Sequence, residues 1–315
     1  MAKGLSYQIG LRIENTNISG KQVTLDTSFM RHYTDFFPTA FVQKKWGSKD
    51  KNAIRLGFSR RIDRPNYENL NPFRQFLDQY TFQVGNPNLT PQYSNNIDLT
   101  YTFMGAMSIS ANYGKTTDVM NEVLKQDDAT KQTFVTRENL ATRENYGVSV
   151  NIPIPIKKWW FLNVNSGYNV NHFMGKYLNT DFDLKVPQFS ANVQSRFTLP
   201  KDMSAEISGF YISQVQQGLI LSEPMYAVNA GISKQLFDRR LTLRLNAQDI
   251  FFTQKFRGFQ KYENLDIKII GFNDSRQVRF TASYRFGNQK VQQARRRDGG
   301  AGDEKNRIQK NGWFA

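Results

Sequence analysis

The sequence predicts an all-β fold, an antiparallel transmembrane β-barrel wall of about 12 strands. Three observations predict it. Apolar and polar residues alternate with period two in blocks along the whole chain, and short turns alternate with long polar loops. No stretch approaches the roughly 18 consecutive apolar residues that a membrane-spanning helix needs.

Successive side chains of a strand point to opposite faces, so alternation builds one apolar and one polar face. Leu5, Tyr7, Ile9, Leu11 and Ile13 alternate with Ser6, Gln8, Gly10, Arg12 and Glu14. Ile97, Leu99, Tyr101 and Phe103 do the same with Asn96, Asp98, Thr100 and Thr102, and Leu162, Val164, Tyr168 and Val170 with a series rich in Asn. Val278, Phe280, Ala282, Tyr284 and Phe286 against Arg279, Thr281, Ser283 and Arg285 form the last block. A β-sandwich also alternates, so the connections decide. Short turns are expected at residues 46–49, 104–106, 155–157, 199–201 and 237–239, and long loops at 17–35, 61–90, 120–131, 176–181, 214–223 and 256–263. That is the rhythm of periplasmic turns and extracellular loops.

The stretches 133–154 and 265–286 each read as a single strand longer than a bilayer crossing, so hairpins are expected to project above the outer leaflet. No helix is expected. Aromatic residues gather near strand ends, at Phe36-Phe37, Trp159-Trp160-Phe161, Phe251-Phe252 and Tyr284 with Phe286, as interfacial girdles do. The expected division is a barrel at 1–287 and a charged, disordered periplasmic tail at 288–315.

Charge and composition narrow the function. The formal net charge is +15, of which seven basic against three acidic residues between Lys290 and Lys310 make +4. The remainder is spread along the chain, which argues against a nucleic-acid partner. There is no cysteine, and His32 and His172 are the two histidines. Neither has a nucleophile motif around it, and both read as exposed loop-side residues. Carboxylates show no metal-ligand spacing, so no cofactor, metal or catalytic residue is expected and the chain is not read as an enzyme.

Residues 59–96 read SRRIDRPNYENLNPFRQFLDQYTFQVGNPNLTPQYSNN. This series resembles the outer-membrane β-barrel family common in Bacteroidetes, related to TonB-dependent receptors, whose members carry similar RRI-x-RP, LNPF and GNP-x-L-x-P motifs. Asp35-Phe36-Phe37-Pro38-Thr39-Ala40 before it, Thr253-Gln254-Lys255-Phe256-Arg257 and the closing Ser283-Tyr284-Arg285-Phe286-Gly287 extend the match in order across nearly the whole chain. The resemblance implies an outer-membrane barrel of about 22 strands with a plug domain in its lumen. This chain would be its C-terminal portion, with plug and export signal upstream. The implied partners are outer-membrane lipid and lipopolysaccharide, the plug, an energy-transducing inner-membrane complex and a small nutrient ligand. Tyr284 and Phe286 would lie on the barrel-closing strand.

The motif residues carry physical expectations of their own. Pro65, Pro72, Pro87 and Pro91 lack a backbone N–H and mark an ordered loop leaving the strand pair. Asn71 and Leu89 belong to the same series. Gly85, before Asn86-Pro87, suits a tight turn with unusual dihedrals. Arg60, Arg61 and Arg64 are placed either to brace the loop through carboxylates such as Asp63 or Glu68, or to contact an anionic ligand or lipopolysaccharide phosphate. Three functions compete. The chain is a wall of a nutrient-uptake barrel, a surface adhesion or scaffold protein, or a soluble basic β protein binding polyanions.

Overall fold

The alternating blocks assemble edge to edge into one wall. The computed structural model describes residues 4–22, 27–127, 132–177, 180–217, 220–262, 265–271 and 274–286. Its first elements are β1 (Leu5–Gln22), β2 (Thr27–Trp46), a 3-10 turn (Ser48–Asp50), β3 (Asn52–Asp63), α1 (Tyr67–Leu70), β4 (Gln75–Phe76) and β5 (Thr81–Gln83). There follow β6 (Gln92–Phe103), β7 (Met107–Asp127), β8 (Gln132–Lys157), β9 (Trp160–Tyr177), β10 (Thr180–Leu199) and β11 (Met203–Ile212). The last are β12 (Gln216–Gln217), β13 (Ile220–Ser222), β14 (Met225–Leu236), β15 (Leu241–Gln248), β16 (Phe256–Tyr262), β17 (Leu265–Gly271) and β18 (Gln277–Tyr284).

Twelve strands run in sequence order through the main sheet, β1-β2-β3-β6-β7-β8-β9-β10-β11-β14-β15-β18, each antiparallel to the next. Sequential antiparallel pairing is what hairpin connections enforce. Among the described residues β1 pairs with β2 alone and β18 with β15 alone, so the sheet does not close on itself.

Register carries the alternation coherently from strand to strand. Leu5, Ile9 and Ile13 of β1, Ile54 and Leu56 of β3 and Phe280 of β18 lie exposed on one face. On the other, Gly57, Asp98, Asn112, Gly147 and Asn169 stand opposite one another from β3 to β9. The row above it reads Ser59, Asn96, Gly114, Asn145 and Asn171. Exposed apolar side chains over a whole sheet face are costly in water and favourable against lipid, so the apolar face is the outer one.

Four departures from the sequence expectations have local causes. The hairpins of β1–β2, β7–β8 and β9–β10 pair as far as Gln22↔Thr27, Asp127↔Gln132 and Tyr177↔Thr180, so most of the expected loops 17–35, 120–131 and 176–181 is strand projecting beyond the membrane. The stretch 265–286 is not one strand: β17 turns away to pair with β16, and β18 returns to the wall beside β15. The expected loops 214–223 and 256–263 contain strands, and β12-β13-β16-β17 form a second, four-stranded sheet. A single helical turn, α1, sits in the motif loop where none was expected.

The aromatic expectations divide. Trp159, Trp160 and Phe197 stack at the β8–β9 end with centroids 5.9 to 6.3 Å apart, and Trp46 stacks on Tyr101 at 5.9 Å. Phe36 is exposed, but alternation turns Phe37 to the polar face, where it is 2% exposed beneath the Arg12 guanidinium. Phe251 and Phe252 lie beyond β15, where Phe252 faces Lys255 and Arg276 rather than joining a girdle. The expected tail at 288–315 lies outside the described residues.

Candidate functional site

Each strand needs about ten residues to cross the bilayer, counted from its short turn. The motif loop, residues 64–91, therefore stands at the outer end, between the tops of the β1–β2 and β7–β8 hairpins. β3 stops at Asp63 because Pro65 has no N–H for another ladder bond. Arg64 Nη2 then donates to Glu14 Oε2 at 2.6 Å and Thr16 Oγ1 at 3.0 Å, and its Nε to the Tyr33 hydroxyl at 3.3 Å. Its carboxylate partner thus comes from β1, not from Asp63 or Glu68 within the loop. Burial works against the charge, yet the bonds to Glu14 and Tyr33 leave the guanidinium pKa above its ordinary value.

Asp63 accepts instead from Gln92 Nε2 at 2.9 Å. Arg60 lies over the Tyr93 ring at 5.3 Å, and Arg61, the next residue, is exposed on the opposite face.

Inside the loop the motif pieces hold one another. Pro65, Leu70, Leu89 and Pro91 are buried, Leu89 completely, while Pro72 is half-buried and Asn71 exposed. The N–H of Gly85 donates to Asn71 O at 2.9 Å, and that of Asn86 to Asn69 O at 2.6 Å. Gly85 was expected in a tight turn with unusual dihedrals, but its φ is not positive. A Cβ there would stand 2.4 Å from Asn71 O and 2.7 Å from Glu68 O, so the position needs glycine for close approach of backbone to backbone.

The loop is then fastened to both hairpins. Arg31 of β2 donates to Leu89 O and, at 2.6 Å, to Pro87 O. Asn86 Nδ2 donates to Arg137 O of β8 at 2.9 Å, and Thr90 exchanges hydrogen bonds with Asn139 at 2.8 and 3.0 Å. β5 adds in parallel to β8 at residues 133–135, where Phe82 stacks on Phe134 at 5.3 Å. β9 pairs with β8 only from Ala141 onward, so β5 covers an edge β9 leaves bare. Beneath lies Glu122, beside a narrow cavity lined by Glu68, Gly85 and Arg137. Burial raises its carboxyl to about 7, against the opposing pull of Arg137.

Sequence reasoning missed the anchoring side chains Glu14, Arg31 and Asn139 and the Arg137 backbone carbonyl, which no local motif announces. It also missed Asp249, 1% exposed at the end of β15. That carboxylate accepts from Thr253 N at 2.8 Å, Gln254 N at 3.0 Å and Ser275 Oγ at 2.6 Å. Burial alone would raise its pKa; the bonds from Ser275, Thr253 and Gln254 outweigh it and hold it below the ordinary value. His172 is buried rather than exposed, with Nε2 2.6 Å from Asp183 Oδ1. No group of three or more His, Asp or Glu suited to a metal ion occurs among the described residues.

The polar face is a second surface. Asn112 Nδ2 donates to Asn145 Oδ1 at 2.7 Å and Asn145 Nδ2 to Asn171 Oδ1 at 2.9 Å, a carboxamide ladder across three strands. Between β10 and β15 it hollows into a cavity of about 670 Å³ lined by Arg196, Glu206, Asn229, Arg244 and Asn246. Tyr284 ends β18 opposite Leu241, with its ring 4.7 Å from that of Phe286.

A single-layer antiparallel wall, apolar outside and amide-lined inside, with ordered loops at one end and tight turns at the other, is the wall of an outer-membrane β-barrel. The chain belongs to the outer membrane protein beta-barrel family, whose sequence model matches residues 2–284. No curated protein sequence matches it. Solved structures share the fold at low identity. The FrpB iron transporter of Neisseria meningitidis superposes with a TM-score of 0.60 at 10% identity, covering 91% of this chain and 44% of that one. The copper transporter OprC gives 0.59 at 13%, covering 90% and 45%. The siderophore receptor PirA of Pseudomonas aeruginosa gives 0.54 at 13%, covering 79% and 45%. The chain thus spans less than half the length of these receptors and transporters.

Proposed function

We propose that this chain is the C-terminal wall of a receptor of TonB-dependent type that takes up a nutrient ligand across the outer membrane. The observation that carries it is superposition of about nine-tenths of the chain on less than half of a transporter barrel. In keeping with this, β1 and β18 each carry one partner among the described residues. Further strands on both edges would complete the cylinder, a plug would fill the lumen against the carboxamide rows, and an energy-transducing inner-membrane complex would drive gating. The outer loops would receive the ligand. The motif residues Arg60, Arg61, Arg64, Asn71, Gly85, Asn86, Pro87 and Leu89 serve in this reading to hold the loop at residues 64–91 in shape, with exposed Arg61 left for an anionic ligand.

Deleting the coding sequence in its own host tests the reading against a panel of labelled ferric siderophores, copper, oligosaccharides and peptides. Uptake of one class should fall, and the lost part should be the part a protonophore abolishes. Unchanged uptake across the panel, with loss of cell-surface binding instead, would make the chain a surface scaffold.

A further inference from the structure

The two ends of the wall carry charge differently. Toward the outer end, basic and acidic side chains pair: Arg64 with Glu14, Lys115 with Glu144, Lys125 with Glu138. At the end with the tight turns the cations predominate. The β2–β3 turn carries Lys45, Lys49 and Lys51 against Asp50, and the β8–β9 turn carries Lys157 and Lys158 with no acidic residue. The β10–β11 turn has Lys201 beside Asp202, whose carboxylate pairs with Arg239 of the β14–β15 turn at 3.3 Å; that turn adds Arg240 beside Asp238, and Arg285 follows β18. All of these basic residues are exposed.

Their depth is set by the aromatic rings just inside them. Trp46 with Tyr101, and Trp159 and Trp160 with Phe197, are a stacked pair and a stacked triad at this end, and Lys157 Nζ lies 5.7 Å from the Trp159 ring. Trp and Tyr belts sit at the headgroup boundary. Cations within a few residues of such a belt therefore stand at the level of the lipid phosphates, whereas a docked periplasmic protein would lie deeper in water. Short turns face the periplasm.

We infer that the periplasmic turns form a basic collar that binds the anionic phospholipid headgroups of the inner leaflet of the outer membrane. Lys157, Lys158, Lys201 and Arg240 would contact phosphate oxygens, the ammonium groups as point charges and the guanidinium as a fork. Phosphatidylglycerol, with net negative charge, is preferred over zwitterionic lipid because each headgroup cation gains from the surface charge.

The test uses the protein purified from its host's outer membrane, with whatever strands complete its wall, in lipid nanodiscs and measures the motionally restricted fraction of spin-labelled phosphatidylglycerol and spin-labelled phosphatidylcholine. The chain should prefer phosphatidylglycerol by about fivefold or more, since a single headgroup cation contributes roughly that factor. Raising sodium chloride from about 0.05 to 0.5 M should erode the preference by screening. The variant Lys157→Gln/Lys158→Gln/Lys201→Gln/Arg240→Gln should lose it, and the outer-end control Arg74→Gln/Lys255→Gln should keep it. Equal restriction of the two labels, a preference unchanged in the fourfold variant, or equal loss in the control would each overturn the collar. Heat-modifiable gel mobility reports folding separately. Were the variant not to fold, a preference insensitive to salt in the unaltered chain would overturn the proposal by itself.

Discussion

Arg64 shows how one side chain ties a loop to a distant strand. Its guanidinium is partly buried and bonded to Glu14, Thr16 and Tyr33, three acceptors on two strands. Arg64→Leu leaves Glu14 without its loop partner, at a cost of about 2–4 kcal/mol for a partly buried, hydrogen-bonded pair. Hydrogen exchange at residues 65–72 should accelerate accordingly while β9 and β10 are unaffected; equal rates in both proteins would remove Arg64 from the brace. Glu122 makes a pH-dependent counterpart. Its carboxyl titrates at about 7 in the folded chain against an ordinary value of 4.5, so folding takes up a proton between those values. Stability from this group is complete below about pH 4.5, declines as pH rises to about 7, and is flat above. Arg137 and Glu68 border the same cavity and set the local charge. Glu122→Gln should abolish the decline, so that above pH 7 the contact of β5 with β8 exchanges more slowly than in the unaltered chain, by tenfold for each unit of the shift and so by roughly a hundredfold or more. A decline of the same size in the variant would assign it to another group.

At the level of elements, the outer loops are small folded units and not slack connections. β5 adds to the bare edge of β8, and β13 and β16, from different loops, pair at Leu221↔Phe259 and Ser222↔Gly258. Asp249 holds the base of the second unit by binding backbone on one side and Ser275 on the other. Asp249→Ala leaves the N–H donors of Thr253 and Gln254 without their carboxylate acceptor, at about 1 kcal/mol each for such part-buried hydrogen bonds. Limited proteolysis should then cut between β15 and β18 first and spare the wall strands. A cleavage pattern identical to that of the parent would mean that the β13–β16 pairing holds the unit without the clamp. Periodicity revealed the wall because each wall strand has one face in lipid and one in water. The outer strands, at two to seven residues, are too short for alternation to register, and β13–β16 is a contact between segments more than 30 residues apart.

For the whole molecule the decisive feature is the pair of sheet edges. A strand edge exposes N–H and C=O groups that lipid cannot satisfy, so a membrane wall must close or find partners. The chain contains no native cysteine, which makes a crosslinking test clean. Ile9→Cys with Phe280→Cys should form no disulfide within one isolated chain; efficient bridging would show that twelve strands close by themselves. That result would also remove the need for further strands in the uptake reading.

Strand number, the two-faced wall and the positions of four of the five tight turns followed from the sequence alone, because alternation and turn chemistry are local and the bilayer imposes one period on every strand; the turn expected at 155–157 lies at 158–159, since β8 runs on to Lys157. The motif between residues 60 and 91 was equally legible as an ordered loop, since Pro65, Pro72, Pro87 and Pro91 forbid continued pairing. What fastens that loop was decided only by tertiary structure: Glu14, Arg31, Arg137 and Asn139 reach it from strands whose proximity depends on the register of the whole sheet. The same holds for the glycine at 85 and the open edges at β1 and β18, for which the physical reason is one and the same. Close approach and edge pairing are properties of segments far apart in the chain, and no local pattern encodes them.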